Sequence, residues 1–439
     1  MPPGLHPVWR WALAGVLVVQ VGVIGFTAVF CALRLPYFSP IDEAAHYTYI
    51  QQVAEHGTLP VLGRTEVSPQ TVSIELGRYP HLLSPSVERG LGRLSYEAFQ
   101  PPLYYVAAAP VFLITGNYVD KIYALRLFDV VLLLGALALA GRLCRAVLKQ
   151  RWLLGLSMVM VFFMLPGVLV RMVVISNLAL TVPMALLFTT ELWMAWQRHS
   201  LRRLTVAGVV LGLCMLTEIE LVLLAPIFAL VVVAEARRRW SLTRVLGLVG
   251  VTAIPLVLVA PWLAFNEAHY RMLTAATIAI HEQAYIVNPH HLHYSLGQLP
   301  NQTAALLNPT VPAEWGASLA HQPGLAYLYQ LLGVLLIPAA VVMILGTGRR
   351  LWSVRTAILG LPWVLNVVEM WYIHFGQQWQ VDVRYTYATV PILLVLAADA
   401  TQVIRSRYLP VLISIGAVAA TMTLWSYYVF SYSGQFAIR

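Results

Sequence analysis

Apolar stretches of about 20 residues recur along the chain between short polar connectors, each long enough to cross a hydrocarbon layer roughly 30 Å thick as a helix. They fall near residues 11–33, 122–148, 152–172, 178–197, 204–218, 219–236, 245–265, 326–347, 356–373, 384–403 and 409–430. The pattern predicts an all-α polytopic membrane protein, one transmembrane domain over residues 1–439 with about eleven spanning helices. Two long connectors remain, 34–121 and 266–325. The first apolar run, from Trp11, exceeds the roughly 7–15 residues of a secretory signal core and has no small-x-small cleavage site after it, so it reads as a retained helix.

Composition sharpens this picture. With 59% hydrophobic and 11% charged residues, the chain cannot be a soluble domain of ordinary surface polarity. The net charge of +9 is mostly a topology signal, because Lys and Arg collect in five short connectors. These hold Arg142, Arg145, Lys149 and Arg151; Arg198, Arg202 and Arg203; Arg237, Arg238, Arg239 and Arg244; Arg349, Arg350 and Arg355; and Arg405 and Arg407. The positive-inside rule puts all five on the cytoplasmic face, with the N-terminus inside and both long connectors outside. Split among loops, with no basic stripe or reading helix, the charges argue against a nucleic-acid partner. Keeping the Arg142 connector inside requires Pro101 to Gly116, short and proline-bearing, to stay on the outer face as an interfacial or re-entrant segment with juxtamembrane helices around it.

Most of the candidate chemistry then lies at the outer boundary. Pro40-Ile41-Asp42-Glu43-Ala44-Ala45-His46 follows the first helix. A helix over 42–56 lying on the membrane puts Asp42 and His46 on one face, with Glu43 about 100° away; acidic residues also suit a helix start. Arg126, Arg171 and Arg384 interrupt the positive-inside pattern, and a guanidinium there suits a phosphate, pairing with Asp129 or Asp382, or a route to water. Tyr104 and Tyr105 follow Gln100-Pro101-Pro102, Tyr385 follows Arg384, and Glu218 and Glu220 occupy an outer turn. Asn288-Pro289-His290-His291-Leu292-His293, with His281, matches no standard zinc spacing. Asn301-Gln302-Thr303 fits a short glycosylation pattern, and Cys31, Cys144 and Cys214 form no disulfide or metal pattern.

Five elements in order resemble the GT-C superfamily of membrane glycosyltransferases, especially its protein-mannosyltransferase-like, polyprenyl-phosphate-sugar-dependent branch. They are the Asp42-Glu43 motif, Gln100-Pro101-Pro102-Leu103-Tyr104-Tyr105, Ala124-Leu125-Arg126-Leu127, Leu216-Thr217 followed by Pro226, and Gln380 with Arg384-Tyr385. The resemblance implies a GT-C-like bundle, a polyprenyl-phosphate sugar as donor, and transfer on the outer face of a multi-pass membrane protein, expected in a bacterial plasma membrane. It implies Asp42 as the catalytic carboxylate with Glu43 beside it. With it we expect inverting transfer to a hydroxyl of a glycan, lipid or protein acceptor, with Asp42 as general base. Arg384, Arg126 and Arg171 are the expected donor-phosphate ligands, and His46, Gln100, Tyr104, Tyr105, Glu218, Gln380 and Tyr385 line the substrates. No metal ligand set or cofactor is expected beyond a divalent cation at Asp42 and His46 as an open alternative. Three positions depart from the family pattern: Ser176-Asn177 lacks the acid of relatives, Glu218 stands where they carry lysine, and Val381-Asp382-Val383 stretches the last element. A lipid-linked sugar flippase and a non-catalytic subunit of the same fold are the rival readings.

Overall fold

The computed structural model describes residues 7–35, 37–38, 42–62, 64–65, 68, 71, 96–238, 241–274, 353–373 and 383–400. Helix α1, Pro7–Arg34, is followed by α2, Glu43–His56, and α3, Leu103–Leu113. Then come α4, Tyr118–Leu148, α5, Trp152–Met164, α6, Pro166–Val173, α7, Leu178–Arg198, and α8, Leu201–Met215. The described part closes with α9, Ala225–Arg238, α10, Leu242–Tyr270, α11, Val354–Trp371, and α12, Val390–Ala400. Short 3₁₀ turns at Tyr96–Phe99, Ile219–Leu224 and Val383–Thr386 carry polar residues between them. No strand occurs among the described residues.

Five helical runs here are long and apolar enough to span a membrane: Arg10–Arg34, Tyr118–Met164, Leu178–Arg198, Ile219–Arg238 and Leu242–Tyr270. The chain is an integral membrane protein. The second run has 47 residues, about 70 Å as one helix, far more than one crossing needs. It folds back at Lys149, whose φ of 50° breaks the helix. Across that turn Gly155 faces Cys144 and Gly141 faces Leu156, so α4 and α5 form a hairpin. Spans expected at 326–347 and 409–430 lie outside the described residues.

Local chemistry sets the ends. Ser200, Ser241 and Ser353 cap α8, α10 and α11, each hydroxyl accepting a backbone N–H three residues on. The stretch expected as one helix over 152–172 breaks at Leu165, and Pro166 begins α6 because proline has no N–H to continue the ladder. Likewise α10 runs on to Tyr270, into the expected second connector.

Helix α7 is the most enclosed of the five spans and packs against α4 and α8. Gly208 and Gly212, one turn apart on α8, let α10 approach: a Cβ at Gly212 would stand 3.1 Å from Cα of Pro255. At 11 residues, about 17 Å, α3 is too short to cross, and it packs on α2 and α4. The helix expected over 42–56 is present as α2. Every residue from Glu43 to Ile50 is buried, since α2 packs broadly against α3 and only its last turns reach solvent.

Candidate functional site

The described parts of the basic connectors gather at one end of the bundle. Glu191 of α7 pairs with Arg142 and Arg203, Glu235 of α9 with Arg244 and His199, and Asp399 of α12 with Arg355. Arg355 also lies over the Trp193 ring, 5.4 Å from its centroid.

At the opposite end, Asp42 precedes α2 with φ 78°, a left-handed conformation that a residue with a short polar side chain tolerates. Its carbonyl accepts from His46 N–H, while its carboxylate takes a 2.6 Å bond from Arg384 Nη1. That pair is partly open: the Arg384 side chain is 23% exposed and that of Asp42 9%. Arg384 also lies over the Tyr385 ring. The one backbone carbonyl and one carboxylate of Asp42 thus serve different masters, the helix start and the distant arginine.

Glu43, one residue on, is sealed. Arg126 Nε and Nη2 each donate to its carboxylate at 2.7 Å, and Nη1 donates to the carbonyls of Leu35 and Ala32. Both side chains are fully buried, and Ile175 N–H adds a bond to Glu43 Oε1. The bidentate fork fixes the geometry as well as the charge. It pins α2, α4, the end of α1 and the α6–α7 link together. Asp129, a sequence candidate as an arginine partner, instead lies 3.0 Å from the Tyr104 hydroxyl through each oxygen.

His46 is buried, with Nδ1 2.8 Å from the Tyr105 hydroxyl. Burial, with Arg384 and Arg171 nearby, holds its pKa at about 4 against the opposing pull of Asp42, so the ring is neutral. Tyr105 stacks on Tyr49 at 3.6 Å, and the Tyr49 hydroxyl donates to the Gln100 carbonyl. Gln100 Oε1 accepts from Asn177 Nδ2, which also faces the Thr217 carbonyl. Asn177 is therefore held between two acceptors, which an amide can serve and a carboxylate cannot. Glu218 is buried beside Thr181, and burial pushes its carboxyl up to about 7 despite Arg384.

Asp42, His46, Gln100, Tyr105, Glu218, Arg384 and Tyr385 thus fall in one layer, with Glu43, Arg126, Tyr104 and Asp129 packed behind them. Arg171 is buried near His46. Gln380, Asp382, the histidine-rich segment and Asn301 lie outside the described residues. A narrow pocket beside this layer is lined by Thr181, Glu220, Asn366, Tyr385 and Thr389. Sequence reasoning missed Glu97, buried on the 3₁₀ turn just before Gln100. A lone acid in Tyr96-Glu97-Ala98-Phe99, directly ahead of a recognised motif, was the available signal. No group of three or more His, Cys, Asp or Glu among the described residues is placed to hold a metal ion. Asp42 and His46, engaged with Arg384 and Tyr105, do not alone make a divalent-cation site.

No family model matches the sequence, and no curated protein does. Solved structures do. The chain overlays ArnT from Cupriavidus metallidurans, in the apo state and bound to undecaprenyl phosphate, with TM-scores of 0.53 and 0.55 at 15% identity. The overlays cover 95% and 94% of this chain and 65% of the ArnT chain. The chain has the fold of ArnT. The all-α polytopic architecture anticipated from the sequence is therefore present, in a chain spanning 65% of the length of ArnT. The oligosaccharyltransferase AglB from Archaeoglobus fulgidus, in complex with an inhibitory peptide and a dolichol-phosphate, matches with a TM-score of 0.47 at 14% identity, over 92% of this chain and 55% of that one.

Proposed function

We propose that the protein is a membrane glycosyltransferase that moves a sugar from a polyprenyl phosphate to an acceptor hydroxyl on the outer face of a bacterial plasma membrane. The observation that carries the reading is the part-open Asp42–Arg384 pair, a carboxylate and a guanidinium at the mouth of an ArnT-like fold. ArnT has been solved with undecaprenyl phosphate bound, which supports a lipid phosphate as the donor group here.

In this mechanism the donor phosphate replaces Asp42 as the partner of Arg384. The exchange binds the donor and frees the base in one movement, and loss of the adjacent cation makes the Asp42 carboxylate more basic. The acceptor hydroxyl gives its proton to Asp42 as its oxygen bonds to the anomeric carbon. The carbon–oxygen bond to phosphate breaks, its electron pair leaves with the phosphate, and the anomeric centre inverts. Arg384, supported by Arg171, offsets the charge that develops on the leaving group. Arg126, expected among the phosphate ligands, receives a different role here: its guanidinium is spent on Glu43 and two carbonyls, so the pair positions Asp42. The sugar-lining side is given to Gln100, Tyr105, Glu218 and Tyr385. A transporter would call for ionisable residues midway through the bundle; of Asp129, Glu191, Glu369 and Asp399, two sit with the basic connectors and Glu369 lies in the last turn of α11, which leaves Asp129 within a span.

The test uses the full-length protein in lipid, a panel of polyprenyl-phosphate sugars, and label transferred to membrane or cell-wall acceptors. Asp42→Asn should lower transfer by about 10²–10⁴-fold while still binding donor, and Arg384→Ala should lose donor affinity. Donor binding without transfer by wild type, or full activity in Asp42→Asn, overturns the assignment.

A further inference from the structure

We propose that Glu97 is a substrate-binding carboxyl that hydrogen-bonds a hydroxyl of the sugar carried by the donor. The inference rests on the donor reading above.

Glu97 is 5% exposed, and its Oε2 is buried with no hydrogen-bond partner among the described residues. Such an atom is costly and asks for an explanation. Other buried acids of the bundle are answered in full: Glu43 by Arg126, Glu191 by two arginines, Glu235 by Arg244 and His199, and Asp129 by Tyr104. Glu97 is left with an open oxygen at the end where the candidate base and phosphate ligand lie.

Its neighbours come from every element around it. Asp42 lies at the start of α2, Tyr105 on α3, Glu218 before the 3₁₀ turn at Ile219, and Arg384 on the turn at Val383, with Gln100 bonded to it three residues on. His46 on α2 is neutral. Burial first, then the charges of Asp42 and Glu218, push the Glu97 carboxyl up to about 8 against the pull of Arg384 and the Gln100 bond. At neutral pH it therefore offers one O–H donor and acceptor oxygen, the complement of a sugar hydroxyl. Ionised, it would add a negative charge beside the donor phosphate and oppose binding. Asp42 and Arg384 both act on Glu97, and its 3₁₀ turn packs on α2, so its carboxyl lies at the same end of the bundle as the candidate base and phosphate ligand.

The experiment measures binding of the polyprenyl-phosphate sugar panel and of bare undecaprenyl phosphate to the full-length protein in nanodiscs, from about pH 6.5 to 9.5 around the Glu97 pKa. Glu97→Ala should weaken a sugar-bearing donor about tenfold at the acid end and leave the bare lipid phosphate unchanged. Wild type should lose donor affinity as pH rises past about 8, and Glu97→Gln, which stays neutral, should not. Equal weakening of both ligands, or the same alkaline loss in Glu97→Gln, overturns the assignment. If Glu97→Ala does not fold, the near-isosteric Glu97→Gln carries the test, and its infrared spectrum at neutral pH should lack one protonated-carboxyl band present in wild type; an unchanged band overturns the proposal. A wild type that binds neither ligand overturns the donor reading itself.

Discussion

At the basic end of the bundle, Glu191, Glu235 and Asp399 each meet an arginine from a neighbouring helix, and the arginines remain 23–44% exposed as side chains. At the other end, acids and arginines are also drawn together, but unequally. Glu43 and Arg126 are sealed from solvent, Asp42 and Arg384 are part-open, and Glu97 and Glu218 are buried without an arginine hydrogen-bonded to them. One end gives each of these acids an arginine and lets water screen the excess positive charge, which suits loops whose work is to stay on one side of a membrane. Among the described residues, the other holds more acid than its local cations neutralise, in low dielectric, which raises carboxyl pKa values and keeps a guanidinium beside a carboxylate it can exchange for a phosphate. The same residue types thus make fasteners at one end and a site at the other, and the difference lies in burial and in the count of partners.

Substitutions at each end sharpen that contrast. The largest effect is expected from Glu43→Gln, which leaves the Arg126 guanidinium buried and short of its counter-charge. Loss of about 3–5 kcal/mol follows from breaking one side of such a pair. Thermal unfolding in detergent measures it, and a small shift would mean that the sealed pair is not a structural clamp. Next comes Asn177→Asp, which restores the acid of the family pattern but sets a carboxylate against Gln100 Oε1 and the Thr217 carbonyl. A cost of about 1–3 kcal/mol is expected at neutral pH, relieved on acidification as the new carboxyl takes up a proton and becomes a donor again. A pH series of melting temperatures reads this directly; a gain in stability at neutral pH would show that the amide is not what the site requires. The smallest effect is expected at the basic end. Arg142→Ala removes a 44%-exposed partner while Arg203 still serves Glu191, so the change should stay within about 1 kcal/mol and leave transfer untouched. A large loss of transfer there would break the division between the two ends.

Much of this was legible in the chain. Apolar runs bounded by arginines marked the hairpins, because helix length and bilayer thickness are local matters. The Asp42 motif and Gln100-Pro101-Pro102 stood out as polar residues misplaced at an apolar boundary. Less legible was who answers whom. Asp129 was an apparent mate for Arg126 on the same helix, one turn away, yet Glu43, 83 residues distant, holds that guanidinium. Glu97 was not singled out, because nothing in its own segment announces burial against α2.

By itself the sequence determined that the protein is a helical membrane protein, where most of its described helices begin and end to within a few residues, and which of the described basic residues share an end of the bundle. These follow from hydropathy, charge sign and capping residues, each read over one or two dozen positions. Only the tertiary structure decided that Arg384 meets Asp42 across 342 residues, that Glu43 is clamped while Asp42 stays part-open, and that Glu97 is buried with an unanswered oxygen. Pairing and desolvation depend on which distant surfaces pack together, and no local window contains that information.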